Sequence, residues 1–513
     1  MKMPGTLTER PSWRVKPSSS IAPVVVGARG LRIADVVRVA TDGAEVVLDP
    51  GAQRRMSAAK DVIERLLERG KDVYGLNTGV GPQQKVAVPP AEQAHFNRLM
   101  ILAHCVGHGE QAPSSFVRAA MLVRAHGLAL GAAGVRPAIV EALLDALNAG
   151  ISPTVHLIGS IGQSDLAPMA EIARALIGAG PDADLMARAE LHPLELGPGE
   201  ALALISSNAF AIGIAALALA RSVSALQALE LSAALAFEGF VANVSALDPA
   251  VARLRPYDGI AQTIERLREL LDGGALLRGT RTPRNLQDPL CFRTVPQTHA
   301  AAHHALDHAI ALVEVELRSA ADNPAVLARE DRAFSHGNHD ITPVAVGLDY
   351  ARLGLAQAIT IANERIQKLL DSRFSGLPSG LRARNDLAED GLAVIGHGST
   401  ALAAECRLLA GPVTLEQTTS SAAEGIEDRV TLAPVAARRL FEMAGYAVRL
   451  AAVELVCATQ AVDLRGRHGE LGRGTTTGYT TVREHVRFTD AGHAPPDVLD
   501  PLVRWLESDS VTG

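Results

Sequence analysis

Five stretches of the chain, 201–238, 298–321, 342–371, 391–410 and 433–464, carry apolar residues at helical spacing, and several exceed 20 residues. Helices of that length with alanine on their packing faces belong in a multi-helix bundle, where small side chains let backbones approach closely. The aromatic content points the same way. Trp 2, Tyr 5 and Phe 10 leave the core to Ala, Leu, Val and Ile, and Ala and Leu are strong helix formers. A β-sandwich or a nucleic-acid stacking platform would want more aromatics. The expected fold class is mainly α, a long-helix bundle with a small strand-bearing N-terminal part, since 21–50 holds short β-branched runs.

The 513 residues suggest about two to four structural units. The expected division is a flexible tail over 1–20, an N-terminal domain over 21–225, a central long-helix bundle over 226–470, and a C-terminal loop with a capping helix over 471–513. In that last part, GRGTTTGYTT reads as loop. With Lys+Arg 49 against Asp+Glu 56 the net charge is −7, which gives no electrostatic reason to bind nucleic acid or an anionic membrane. Polar residues interrupt the apolar stretches before membrane-spanning length, and the polar, Pro/Ser-rich start lacks the apolar core of a signal peptide. Cys105, Cys291, Cys406 and Cys457 form no CxxC or zinc pattern and read as small buried apolar residues in a reducing compartment. A cytoplasmic setting is expected.

Four segments could carry chemistry. YGLNTGVG, 74–81, sets Tyr74 and Asn77 among glycines, either a turn after a helix or a loop from which a phenol projects. It lacks the Gly-Lys-Ser/Thr ending of a phosphate loop. GSIGQSDLAP, 159–168, feeds a helix, with Asp165 or Ser164 as a candidate N-cap or the amides as an anion site. LQDPLCFRTVPQ, 286–297, offers Gln287 and Arg293 as a carboxylate clamp, or Arg293 as a surface ion pair. SAADNPAV, 319–326, is the fourth. His299, His303, His304 and His308 pair twice at i,i+4 on one predicted helix, but no third-ligand motif accompanies them. A polar helix face is expected there, and no metal site.

In this order the segments resemble the histidine/phenylalanine ammonia-lyase family. The tyrosine loop, GSxG…DLAP, QDP…R…PQ, DNP, the GN…P of Gly337, Asn338 and Pro343, and the ED of Glu427 and Asp428 form one multi-part signature. The resemblance implies an all-α bundle of the ammonia-lyase/fumarase-like type, assembled as a homotetramer whose sites draw on more than one subunit. It also implies a small amino-acid-like zwitterionic substrate. Tyr74 matches the family's catalytic base and His104 its histidine partner. Gln287 and Arg293 match the glutamine and the carboxylate-binding arginine, and Asn323 the asparagine of the DNP segment. Glu427 matches the glutamate that histidine-specific members place near the imidazole ring. A Tyr phenol of solution pKa about 10 needs a nearby cation, dipole or hydrogen bond to act as a base.

The family builds its electrophile, a methylidene-imidazolone group (MIO), from an alanine–serine–glycine triad inside GSVGASGDLAP. Here Gln163, Ser164 and Asp165 stand in that place and the segment is one residue shorter. Ring closure wants a glycine amide, because a Cβ crowds the cyclisation. No MIO and no other cofactor is expected. Ser206 replaces the family asparagine that supports MIO, Leu290 the tyrosine of QDPYxxR, and His339 the aromatic after GN. The departures surround the electrophile while the base and clamp remain. Without MIO the amine must already be a good leaving group, as a trimethylammonium is. The resemblance thus narrows to the ergothionase type, acting on a histidine betaine such as ergothioneine or hercynine and leaving a urocanate-type product. Ser206, Leu290 and His339 are expected to line the vacated space. The alternatives are an ordinary histidine or aromatic amino acid ammonia-lyase or aminomutase, and a non-catalytic binding homologue.

Overall fold

The computed structural model describes residues 22–28, 30–386, 388–416, 423–496 and 499–508; the expected tail over 1–20 lies outside them. Helix dominates, as the alanine- and leucine-rich stretches require. The helices Val295–Glu316, Thr342–Leu370, Ile395–Leu409 and Ala433–Leu464 fall on four of the five predicted stretches. The fifth is divided. Ser206, Ser207 and Asn208 separate a helix at Glu200–Ile205 from one at Ala209–Phe240, with the Ser207 hydroxyl accepting the Ala209 amide at 3.1 Å.

Strands are short. Val24–Val26 pairs in parallel with Val46–Leu48 across the helix Ile33–Thr41, meeting the expectation for 21–50. His108–Gln111 and His156–Ile158 form an antiparallel pair, as do Ala325–Leu327 and Arg332–Phe334.

Contacts divide the chain into two units: 1–220 with 310–348 and 412–438, and 221–309 with 349–411 and 439–513. They interleave in sequence rather than following the contiguous division into 21–225, 226–470 and 471–513. The reason is that helices such as Ala209–Phe240 and Ala433–Leu464 contribute residues to both.

In the first unit, Ala59, Val62 and Ile63 of the helix Pro50–Glu68 pack with Val73, Leu76 and Val326 in a buried cluster that seats the Tyr74 loop. In the second unit three of the few aromatics gather. Phe292 stacks on Phe240 at 4.3 Å and meets Phe237 edge-on at 5.6 Å. Arg365 and Glu454, both fully buried, form a 2.5 Å ion pair that also takes the Ser232 hydroxyl at 2.6 Å.

Two sequence expectations need correction. Arg473–His485, read as loop, is helical, because Thr475, Gly478 and Val482 bury one face at three- and four-residue spacing despite the Gly and Thr content. Among the described residues two helical segments, Glu200–Phe240 counted across its break at 206–208 and Thr342–Leu370, are long and apolar enough to cross a membrane by length and composition; 83% and 67% of their apolar windows are buried inside the protein, the signature of core helices.

Candidate active site

The first unit brings together the Tyr74 loop, the Gln163 loop, the Ser206 break, the DNP segment, His339 and Glu427. Asn77 ties the Tyr74 loop: its side chain accepts the Val73 amide at 2.8 Å and donates to the Lys71 carbonyl at 3.0 Å. Gly75 has φ +72, and a Cβ there would come 2.3 Å from Leu202, so the loop presses onto the helix Glu200–Ile205 only as glycine. The Gly81 amide donates to the Tyr74 phenol oxygen at 2.9 Å. Gly81–Gln83 in turn abuts Ala423–Gly425, just ahead of Glu427.

His104 ends the helix Gln93–His104. Its Nδ1–H donates to the Met100 carbonyl at 2.7 Å, which leaves Nε2 as the acceptor of the neutral ring. Ser206 and Asn323 line one cavity with Leu76, Leu202, Asp322 and Pro324, so the tyrosine loop, the helix break and the DNP segment meet there. Asn323 accepts the His336 amide at 3.1 Å, and Asp322 forms a buried 2.7 Å ion pair with Arg124.

The Gln163 loop is fastened on every side. A Cβ at Gly162, φ +83, would stand 2.1 Å from the Thr431 hydroxyl, which itself donates to the Gly162 carbonyl at 2.7 Å. The Ile161 carbonyl accepts the amides of Thr431 and Leu432, both at 3.1 Å. Asn208 accepts the Ser164 amide at 3.1 Å and donates to the His339 carbonyl at 2.7 Å, so one side chain braces the loop and His339 together. The Ser164 and Ser206 hydroxyls lie 3.3 Å apart.

Asp165 is fully buried at the start of the helix Leu166–Leu176, yet its carboxylate makes no cap bond to that helix. Asp165 thus holds the expected N-cap position of that helix, its carbonyl accepting the Met169 amide at 3.0 Å, while its side chain is used elsewhere. Asp165 instead accepts the Ala211 amide at 2.8 Å, in the first turn of Ala209–Phe240, and the Ser160 hydroxyl at 2.6 Å. Burial pushes its carboxyl up to about 6, against those hydrogen bonds.

His339 is half-buried, and its Nδ1 is enclosed without a hydrogen-bond partner. Burial, joined by the charge of His336, pulls its imidazole below the ordinary value against the opposing charges of Asp340 and Glu427. Next to it, Asp340 pairs with Gln163 through the backbone and accepts the Gln163 side-chain amide at 2.8 Å. Burial alone would raise the Asp340 carboxyl; hydrogen bonds from Thr342 and Gln163 and the charge of Arg429 outweigh it, and the group sits below its usual range.

Gln287, Leu290 and Arg293 belong to the second unit. Gln287 and Leu290 are exposed in the single chain. Arg293 closes the short helix Leu290–Arg293, which buried Phe292 anchors, and its Nε donates to the Asp288 carbonyl at 2.8 Å. Asp288 is itself held by the Asn243 amide at 2.5 Å and the Asn285 side chain at 2.9 Å. Also in this unit, Glu230 takes His303 Nε2 at 2.8 Å, with His299 Nδ1 4.0 Å away. Among the described residues no group of three or more His, Cys, Asp or Glu side chains is placed to hold a metal ion.

Asn208, Asp340, Arg429 and Thr431 were not singled out by sequence. For Asp340 a signal existed: an acidic residue two positions before Thr342-Pro343 has the spacing of a helix cap.

The chain is similar to known proteins over most of its length. The histidine ammonia-lyase of Symbiobacterium thermophilum is 34% identical over 473 residues, 90% of this chain and 92% of that protein. Ergothionase from Treponema denticola, solved in complex with desmethyl-ergothioneine sulfonic acid, superposes with a TM-score of 0.88 at 27% identity, covering 96% of this chain and 99% of that one. Histidine ammonia-lyase from Trypanosoma cruzi gives 0.87 at 25% identity, covering 96% and 94%. The family profile described as aromatic amino acid lyase matches residues 31–484, and the chain belongs to the aromatic amino acid lyase family.

Proposed function

We propose that the protein is a carbon–nitrogen lyase that eliminates trimethylamine from a histidine betaine of the ergothioneine or hercynine type, without MIO. The observation that carries the reading is the environment of Asp165. MIO formation requires the amide nitrogen at this position to attack the carbonyl two residues back. The Asp165 amide is instead committed to the Ser207 carbonyl at 2.7 Å, and its Cβ leads to a carboxylate that caps Ala209–Phe240. The residues do not fit the MIO group, and no step is routed through it. The likeness to an ergothionase over 96% of the chain supports the same reading.

Without an electrophile, departure depends on the amine. A trimethylammonium keeps its charge at every pH and leaves with the C–N electron pair as neutral trimethylamine. The Tyr74 oxygen takes the β-proton, the C–H electrons become the Cα=Cβ bond, and a urocanate-type acrylate results. The Gly81 amide stays on the phenol oxygen, where it stabilises negative charge. His104 Nε2, the free acceptor of its ring, receives the phenol proton before turnover. Arg293, held by Asp288, clamps the substrate carboxylate with Gln287 beside it. Asn323 binds the substrate's polar end, and Glu427 holds the ring cationic so that it accepts electron density as the β-proton leaves. Ser206, Leu290 and His339 make room for the three methyl groups. A homotetramer in the cytoplasm, with sites shared between subunits, is part of this proposal.

A second reading, an ordinary histidine ammonia-lyase, is favoured by the 34% identity to an enzyme of that name. The roles are tested by following urocanate-type absorbance and free amine in Tyr74→Phe and Glu427→Ala. The proposal requires both variants to lose turnover together, by about a hundredfold or more for the base. Turnover unchanged in Tyr74→Phe would refute it.

A further inference from the structure

We infer that Asp340 is a positioning residue that couples the Gln163 loop to the Glu427 segment and so sets the places of His339 and Glu427. The inference rests on the proposed roles of those two residues and assigns a role to a neighbour outside the family signature.

Three elements converge on one carboxylate. Asp340 Oδ1 accepts the Thr342 amide at 2.9 Å, at the start of the helix Thr342–Leu370. Oδ2 accepts the Gln163 side-chain amide at 2.8 Å and faces the Arg429 guanidinium at 3.5 Å. Arg429 also donates to the Thr342 hydroxyl at 3.0 Å, so it is held on two sides.

The neighbours of these contacts are the residues proposed to meet the substrate. His339 precedes Asp340, and Glu427 lies two residues before Arg429. Gln163 occupies the first position of the family's triad, and its side chain is spent on this tie. The carboxylate therefore fixes the spacing between the loop that replaces the electrophile and the residue that faces the ring. Its bonds to Thr342 and Gln163 come from groups with fixed directions, and Arg429 adds charge. A shift of about 1 Å in such a support is enough to lower activity strongly.

The test is a double-mutant cycle. Gln163→Ala and Arg429→Ala are made singly and together, in the natural background and with Asp340→Ser. Serine retains an oxygen to cap Thr342, so the helix start survives while the Oδ2 tie is lost. In the natural background the joint loss in kcat/KM should fall short of the product of the single losses by at least about threefold, and this coupling should vanish with Asp340→Ser. Melting temperatures should show no matching coupling. Losses that multiply independently in both backgrounds, or coupling that persists with Asp340→Ser, would overturn the inference. The same cycle is read in the Kd for urocanate, which needs no turnover. It is run on whichever substrate the enzyme converts, so ammonia from histidine would overturn the betaine reading and leave the role of Asp340 decided by the cycle.

Discussion

The amide of Asp165 donates to the carbonyl of Ser207 at 2.7 Å, which ties the loop where the family forms its electrophile to the break between two helices. Sequence places these residues 42 positions apart. The bond turns the nitrogen that would have to cyclise toward Ser207.

The first consequence concerns covalent structure. Intact mass should equal that encoded by the 513 residues, and a deficit of two waters mapped to Gln163, Ser164 and Asp165 would contradict the argument.

Asp165 is also a structural residue. Asp165→Ala removes the acceptor of the buried Ala211 amide and the partner of Ser160. Denaturant unfolding should show a loss of about 1–3 kcal/mol. An unchanged midpoint would contradict the capping role.

How much of this was legible in the sequence follows from the range of the interactions involved. Amphipathic spacing is local, so the expected stretches 342–371 and 433–464 match the helices Thr342–Leu370 and Ala433–Leu464 almost to the residue. The break at 206–208 leaves no such local mark. Alanine and leucine on both sides favour a continuous helix, and what divides it is Asn208 bonding Ser164 and His339, 44 and 131 residues away. The helix Arg473–His485 is hidden by threonines and glycines of poor propensity, which burial of one face overrides. The site divides the same way. Tyr74, Asn323 and Glu427 stand in short motifs and Asp340 at cap spacing before Thr342, whereas Arg429 bonds Thr342 and Thr431 bonds Gly162, partners distant in sequence.

The buried pair in the second unit gives a stability prediction. Glu454→Ala leaves Arg365 charged and buried without its carboxylate partner, while the Ser232 hydroxyl keeps the Leu229 carbonyl as acceptor. A loss of about 3–5 kcal/mol is expected in chemical denaturation. A loss below 1 kcal/mol would show that water reaches the arginine.

His126 gives a pH dependence. Its Nδ1 accepts the Gly27 amide at 3.2 Å, and burial lowers its value to about 4. Between the ordinary histidine value, about 6.5, and about 4, the unfolded chain binds a proton here that the folded chain does not. Stability from this group should therefore fall as pH drops through that window, by up to about 3 kcal/mol. His126→Gln should flatten that part of the profile, and a slope identical in both proteins would contradict the assignment.

The central claim is that the leaving group is a quaternary amine expelled without an electrophile. The most direct measurement offers histidine, hercynine and ergothioneine separately to the purified enzyme and quantifies trimethylamine, ammonia and urocanate-type absorbance. Trimethylamine is expected in one-to-one ratio with the unsaturated product from a betaine, with little or no ammonia from histidine. Ammonia from histidine as the faster reaction, with the betaines left intact, would contradict it.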